Sequence, residues 1–204
     1  WVTDDGGETD QDLGNYERVL NVDLPKRNNI TTGQIYSAII ERERKGEFLG
    51  QTVQFIPHVP EEIKRRIKLA SEGMDFAIIE IGGTVGDYEN LPYIFATKSL
   101  EVELGKENVA HVLVTYLPVP AHIGEMKTKP TQQAIRTLNE AGIFPDFVLC
   151  RATEPLDDVR KKKIEIYANI PSGNIISEPD TKTIYRIPMD LEKEGFGKRL
   201  LNKF

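Results

Sequence analysis

Short apolar runs alternate along this chain with stretches of helical spacing, and that order restricts the fold more than any other feature. The run Phe76-Ala77-Ile78-Ile79 predicts a buried strand over residues 74–81. A valine-rich strand is predicted over 109–117, a third over 147–151 and a short fourth over 174–177. Thr32 can cap a helix reaching about residue 44, with Ile35 and Ile39 on one face and Gly46 as the stop. Pro60 opens another, with Ile63, Ile67 and Ala70 at helical spacing. Further helices are predicted over 93–104, 130–141, 159–168 and 191–202, the last broken at Gly195. Strand, helix, strand in this order implies an α/β fold, a doubly wound, mostly parallel sheet with helices on both faces. No repeat, low-complexity tract or linker divides the sequence, so a single domain over 1–204 is expected.

In such sheets ligands collect at the carboxyl ends of the strands. The segments leaving each strand are therefore where chemistry is expected. Glu80-Ile81-Gly82-Gly83-Thr84-Val85-Gly86-Asp87-Tyr88-Glu89 leaves the first. A carboxylate at the end of an apolar strand can hold Mg²⁺, which prefers oxygen ligands and nucleotide phosphates. Alone, Glu80 fits an exposed acidic turn; the company of Asp87, Glu89 and three glycines points towards a site. Residues 4–14 are also rich in carboxylates but lack the ligand register of an EF-hand, so they are expected to form an exposed acidic loop. One of these acids could join Glu80 as a second ligand.

After the second strand, Gly124-Glu125-Met126-Lys127-Thr128-Lys129-Pro130-Thr131-Gln132 runs straight into a helix. Two lysines and two threonine hydroxyls beside free backbone amides make a phosphate cradle. Lysines at this end oppose the helix dipole, which argues for an anion between them. Arg151 follows the third strand and Asp180 the fourth, each readable as a ligand contact or as a surface charge. Lys163 lies in the basic run 160–163, which by itself reads as a solvated face. His58, His111 and His122 lack metal-ligand spacing, and Cys150 sits in an apolar strand as a core residue.

Acids outnumber bases, 32 against 26, so nucleic acid is not an expected partner, and a few focused lysines suit a small polyanion such as a nucleotide. The apolar runs are too short for a membrane span. A single cysteine and an acidic start without signal-peptide character fit a cytoplasmic protein.

Five longer strings sharpen this reading. Residues 5–18, Asp-Gly-Gly-Glu-Thr-Asp-Gln-Asp-Leu-Gly-Asn-Tyr-Glu-Arg, resemble a stretch of the CTP synthase family. So do Arg27-Asn28-Asn29-Ile30-Thr31-Thr32-Gly33, Thr52-Val53-Gln54-Phe55-Ile56-Pro57-His58, residues 80–87 and residues 127–132, all in register along the whole chain. The resemblance implies a synthetase domain of the phosphate-loop, Rossmann-like class that uses ATP and Mg²⁺ to aminate UTP to CTP through a 4-phosphorylated UTP. It also implies inhibition by the product CTP, ammonia delivered by a glutaminase domain, and a homotetramer. By the same resemblance, Asp12 and Glu80 match Mg²⁺ ligands, with Asp12 also beside ATP. Lys127, Thr128, Lys129, Pro130, Thr131 and Gln132 match the segment holding UTP or CTP, with Lys127 and Lys129 the catalytic lysines. Lys163 matches a further lysine for the pyrimidine nucleotide, and Asp87, Tyr88 and Glu89 match the loop contacting bound CTP. Pro179, Asp180 and Thr181 match the segment beside the adenine, with Arg151 as a neighbour.

The family pattern also includes a glycine-rich phosphate loop and a glutaminase domain that this stretch does not supply. The 204 residues alone are thus expected neither to hydrolyse glutamine nor to transfer phosphate efficiently. A related small-molecule ligase, such as a dethiobiotin synthetase relative, would not need the 127–132 string. A non-catalytic module that binds CTP or joins subunits would need it for binding alone.

Overall fold

The computed structural model describes all 204 residues, which form two compact units, Trp1–Thr97 and Lys98–Phe204.

The first unit is helical. Its amino-terminal end folds back through an isolated antiparallel bridge between Val2 and Glu8 before α1 (Gln11–Leu20) begins. The acidic stretch expected as a loop thus enters a helix, with Asp12 in its first turn, where a negative charge complements the amide dipoles. Leu13 is the buried anchor of α1. A 3-10 turn at Lys26–Asn28 leads to α2 (Thr32–Arg44), capped by Thr31 rather than Thr32: the Thr31 hydroxyl accepts from the Gln34 N–H at 3.3 Å. In α3 (Phe55–Ser71) the backbone kinks at Ile56, so Pro60 lies near the start of the regular helix rather than in its interior. Ile35 and Ile39 of α2 pack towards Val59, Ile63 and Ile67 of α3, each nearly inaccessible to solvent. Burying side chains of this size stabilises by about 1.5–3 kcal/mol apiece.

Residues 74–81, expected as a buried strand, are not one. They join no sheet, and Met74, Phe76, Ile78 and Ile79 are exposed, Ile78 almost fully. A strand exists only through a lateral partner for its backbone, and the first unit holds no ladder for this segment to extend. The apolar run is real; its pairing is what periodicity cannot supply. α4 (Leu91–Leu104), buried at Pro92, Ile94, Ala96 and Leu100, carries the chain onward.

The second unit is α/β. Its sheet has three parallel strands in the order β1 (Val112–Tyr116), β2 (Phe147–Ala152), β3 (Ile175–Pro179). The register pairs Val114 with Leu149 and Leu149 with Ile176, so neighbouring branched side chains stack in rows. The central β2 is buried on both faces except at Arg151, as expected of a strand covered on both sides. β1 is an edge strand, with Leu113 buried and Val112, Val114 and Tyr116 open to solvent. Both β1 and the fourth predicted strand are found, the first shorter and β3 longer than their apolar runs indicate.

Between strands run α5 (Lys129–Glu140) and α6 (Asp158–Ala168). α5 buries Ile135 and Leu138, and α6 buries Ile164 and Ala168. Asp157 caps α6, its carboxylate accepting the Arg160 N–H at 2.8 Å. The last helix is two, α7 (Ile187–Lys193) and α8 (Phe196–Leu201), divided where Gly195 takes a left-handed φ of 68°. The pKa of the Cys150 thiol, buried in β2, is pushed up to about 12 by desolvation, which leaves it protonated and unreactive.

Candidate functional site

The carboxyl ends of β1, β2 and β3 gather most of the residues singled out in the second unit. After β1 the chain runs through a turn to Thr128, the residue before α5. Thr131, in the first turn of α5, is fully buried, and its hydroxyl meets that of Thr115 on β1 at 3.2 Å. That bond pins the helix start against the strand end. Gln132 reaches back to the Thr128 hydroxyl at 3.3 Å, Pro130 sits in the first turn, and Lys129 is exposed at the amino end of α5.

Lys127 donates to Glu125 at 3.0 Å. That bond, followed by the nearby charges of Lys127, Arg160 and Lys163, holds the Glu125 carboxyl below its ordinary value. Lys163 therefore lies in the same field as Lys127. The cause is local: Arg160 and Lys163 are three residues apart and share one face of α6. Arg160 ties that face to the lysine-bearing turn. It donates from Nε to the Met126 carbonyl at 3.0 Å, approaches Glu125 at 3.3 Å and pairs with Asp157. The result is three cations around two exposed carboxylates, Glu125 and Asp157, near a helix amino terminus, an arrangement that stays net positive and favours an incoming anion. Sequence reasoning missed Arg160; its i, i+3 relation to Lys163 was the available signal.

Arg151, next to last in β2, lies beside Asp180, with Nη2 and Oδ1 at 3.9 Å and both groups half exposed. The Asp180 N–H continues the ladder to the Ala152 carbonyl at 2.8 Å, and Thr181 closes a turn on Thr183 at 3.2 Å. Pro179, Asp180 and Thr181 line a cavity of about 720 Å³ together with Arg186 and Lys193. A volume of this size accommodates a nucleoside.

Glu178, one residue before this cavity, is 6% exposed, and neither carboxylate oxygen has a hydrogen-bond partner. Burial first, and the negative charge of Asp190 next, raise its proton affinity; Arg151 opposes them only in part. A carboxyl whose folded pKa is raised favours folding at low pH, and that contribution is lost as pH rises through the raised value. Glu178→Gln is therefore expected to raise stability by about 1–3 kcal/mol near pH 7.5 and to lose most of that advantage near pH 4. Urea unfolding at the two pH values checks both the sign and the trend.

In the first unit, Asp12 and Glu80 both act electrostatically on Tyr16. The phenol of Tyr16, one turn beyond Asp12 on α1, is raised by burial, then by the charge of Glu80 and then by that of Asp12. Tyr16 thus reports both carboxylates, and no sequence signal singled it out. No group of three or more His, Cys, Asp or Glu side chains is placed to enclose a metal. Two carboxylates without a third fit Mg²⁺, which is held by one or two protein oxygens and completes its shell with water and phosphate. Asp87 spends one oxygen on the Thr84 N–H at 3.1 Å, folding the turn that presents Tyr88 and Glu89, and Tyr88 is 88% exposed. Two of the histidines have neighbours of their own: His58 meets the Gln54 backbone at 3.0 Å and stands edge-on to Phe48, and buried His111 Nε2 lies 3.4 Å from Glu101.

No helix is long and apolar enough to cross a membrane. The family model described as CTP synthase N-terminus matches residues 1–204. Among curated relatives, the CTP synthase of Pyrococcus horikoshii is 48% identical over 203 residues, covering all of this chain and 38% of its own length. The CTP synthase of Pyrobaculum aerophilum is 53% identical and that of Methanocaldococcus jannaschii 48%, with the same coverage. The chain thus spans about two fifths of the length of the relatives it matches. A match along every residue and near half identity place this chain in the CTP synthase family, over its amino-terminal part.

Proposed function

We propose that this chain is the nucleotide-binding amidoligase part of an enzyme that converts UTP to CTP at the expense of ATP, in cytoplasmic pyrimidine nucleotide synthesis. The observation that carries the reading is the convergence of Lys127 and Lys163 beside the exposed amino end of α5. This is the kind of place a triphosphate occupies.

Uracil O4 attacks the γ-phosphorus of ATP and ADP leaves, which turns a poor leaving group into phosphate. Ammonia then adds at C4, phosphate departs, and protons are lost as CTP forms. Asp12 and Glu80 would hold Mg²⁺, which would supply charge neutralisation on the phosphates. Lys127, Lys129 and Lys163 hold the pyrimidine nucleotide's triphosphate, with Thr128, Pro130, Thr131 and Gln132 shaping the helix start around it. Buried Thr131 acts through its bond to Thr115, by keeping that start in place. Arg151, Pro179, Asp180 and Thr181 receive the adenine, and Asp87, Tyr88 and Glu89 contact CTP when it returns as inhibitor. On this reading both units serve one synthetase domain with a doubly wound, phosphate-loop-like fold. Ammonia comes from a glutaminase domain elsewhere in the protein, which works as a homotetramer.

Thermal unfolding with Mg²⁺ and UTP, CTP or UMP tests the pocket. UTP and CTP are expected to stabilise by about 2.7 kcal/mol at a hundredfold excess over Kd, with UMP far weaker. A folded protein indifferent to both triphosphates would sink the assignment.

A further inference from the structure

A second concentration of positive charge lies in the first unit, lined by none of the residues assigned to nucleotides above. It is a cavity of about 430 Å³ walled by Lys26, Arg27, Arg65 and Arg66, with Asn29 beside them and Glu8 the one acid on the wall. The whole chain carries a net charge of −6, so four cations around one hollow run against its composition. We infer that this cavity is a separate binding site for a pyrophosphate-bearing anion.

The walls are built rather than merely basic. Glu62, 1% exposed, lies beneath them. Its carboxylate takes two bonds from Arg65, at 2.8 and 2.7 Å, and one from Arg66 Nε at 2.9 Å. Arg66 is held further by Gln34, through Nη1 to the side-chain oxygen at 3.1 Å and Nη2 to the carbonyl at 3.2 Å. Both guanidinium groups are thereby oriented before any ligand arrives, which lowers the ordering cost of binding. On the opposite wall the Lys26 N–H is fixed to Asp5 at 3.0 Å, while the Lys26 and Arg27 side chains are exposed and make no recorded ion pair. Gly7 allows the two segments to approach, since a Cβ there would lie 2.2 Å from the Lys26 Cβ.

Charge and reach select the ligand. Lys26, Arg27, Arg65 and Arg66 supply four positive charges against Glu8 on the wall, Glu62 below it and Asp5 beside Lys26, three negative charges, which leaves the hollow net positive. A single carboxylate has too few oxygens to reach both walls. A pyrophosphate group has enough, and it can accept from Lys26, from Arg27 and from the guanidinium N–H groups that Glu62 and Gln34 leave unused. The source is either free pyrophosphate or the phosphate tail of a nucleotide.

The test is calorimetric titration of the full-length protein with pyrophosphate, on the wild type, on Lys129→Ala and on the double variant Lys26→Gln/Arg27→Gln. The wild type is expected to show a class of sites that persists in Lys129→Ala and weakens at least about tenfold in the double variant. Because Lys129→Ala weakens the proposed pyrimidine-nucleotide site and the double variant touches only this cavity, failure of that reading and failure of this one give different patterns. Displacement of the persistent pyrophosphate by CTP or ATP would identify a nucleotide tail as the occupant; no displacement would identify the free anion. Unchanged binding in a double variant that melts like the wild type would overturn the inference, as would a Lys129→Ala protein that binds no pyrophosphate.

Discussion

Lys129→Ala is expected to lower kcat/KM for UTP by about 10²–10³ in the full-length enzyme, with oligomer size unchanged. Lys127 spends its charge partly on Glu125 at 3.0 Å, whereas Lys129 stands exposed at the amino end of α5 with no recorded ionic partner. A lysine there is unfavourable for the helix dipole, so its charge is useful only towards an incoming anion. Its removal should leave folding intact and strip charge stabilisation from the transferring and displaced phosphates. Arginine restores the charge but not the compact ammonium, so Lys129→Arg should recover part of the loss. Steady-state kinetics with ammonium as nitrogen donor, together with sedimentation of the same samples, separates catalysis from assembly. Unchanged kcat/KM would remove Lys129 from the site; a changed oligomer with intact binding would make the α5 start an interface instead.

Glu62→Ala should cost about 1–3 kcal/mol, a fall in Tm of roughly 3–10 °C. Glu62 is the buried hub of α3, bonded to Arg65 and Arg66 and 3.6 Å from Arg42 of α2. Truncation leaves Arg65 and Arg66 without their counter-charge, while Arg42 keeps its pair with Glu47 at 3.0 Å. The hydrogen bonds from Arg65, ahead of the opposing effect of burial, hold the Glu62 carboxyl below its ordinary value. A group lowered in this way stabilises the fold above its unfolded pKa, and the contribution fades as pH falls through the folded value. The difference between wild type and Glu62→Ala should therefore be full at neutral pH and shrink in acid below about pH 4. A constant difference across that range would contradict the ion-pair account and leave lost packing as the cause.

Local rules carried far in the second unit. Valine-rich and mixed apolar runs became β1, β2 and β3, and helical spacing located α5 and α6, because each element there satisfies its own periodicity and then meets a neighbour of the matching kind. The lysine turn before α5 was legible for the same reason: Lys127 to Gln132 is one contiguous string at a helix start. Arg160 and Tyr16 were not legible. One acts through a bond to a backbone carbonyl 34 residues away, and the other matters only because α1 brings it near Glu80. Glu8, Lys26, Arg65 and Arg66 likewise become one cavity only after α2 and α3 have packed.

Residues 74–81 mark the boundary most clearly. Apolar content was written in the sequence, and so was the carboxylate at Glu80, but a strand is a relation between two backbones and no single run contains its partner. By itself the sequence determined which segments are apolar, roughly where α2, α5 and α6 run, and which charges stand together along the chain. Tertiary structure alone decided which strands pair and which cations share a hollow. It also decided that Glu62 and Glu178, alike as buried glutamates, are held charged in one case and pushed towards neutrality in the other. The physical reason is distance: side-chain chemistry is set residue by residue, whereas pairing and electrostatic fields depend on what folding brings within a few ångströms.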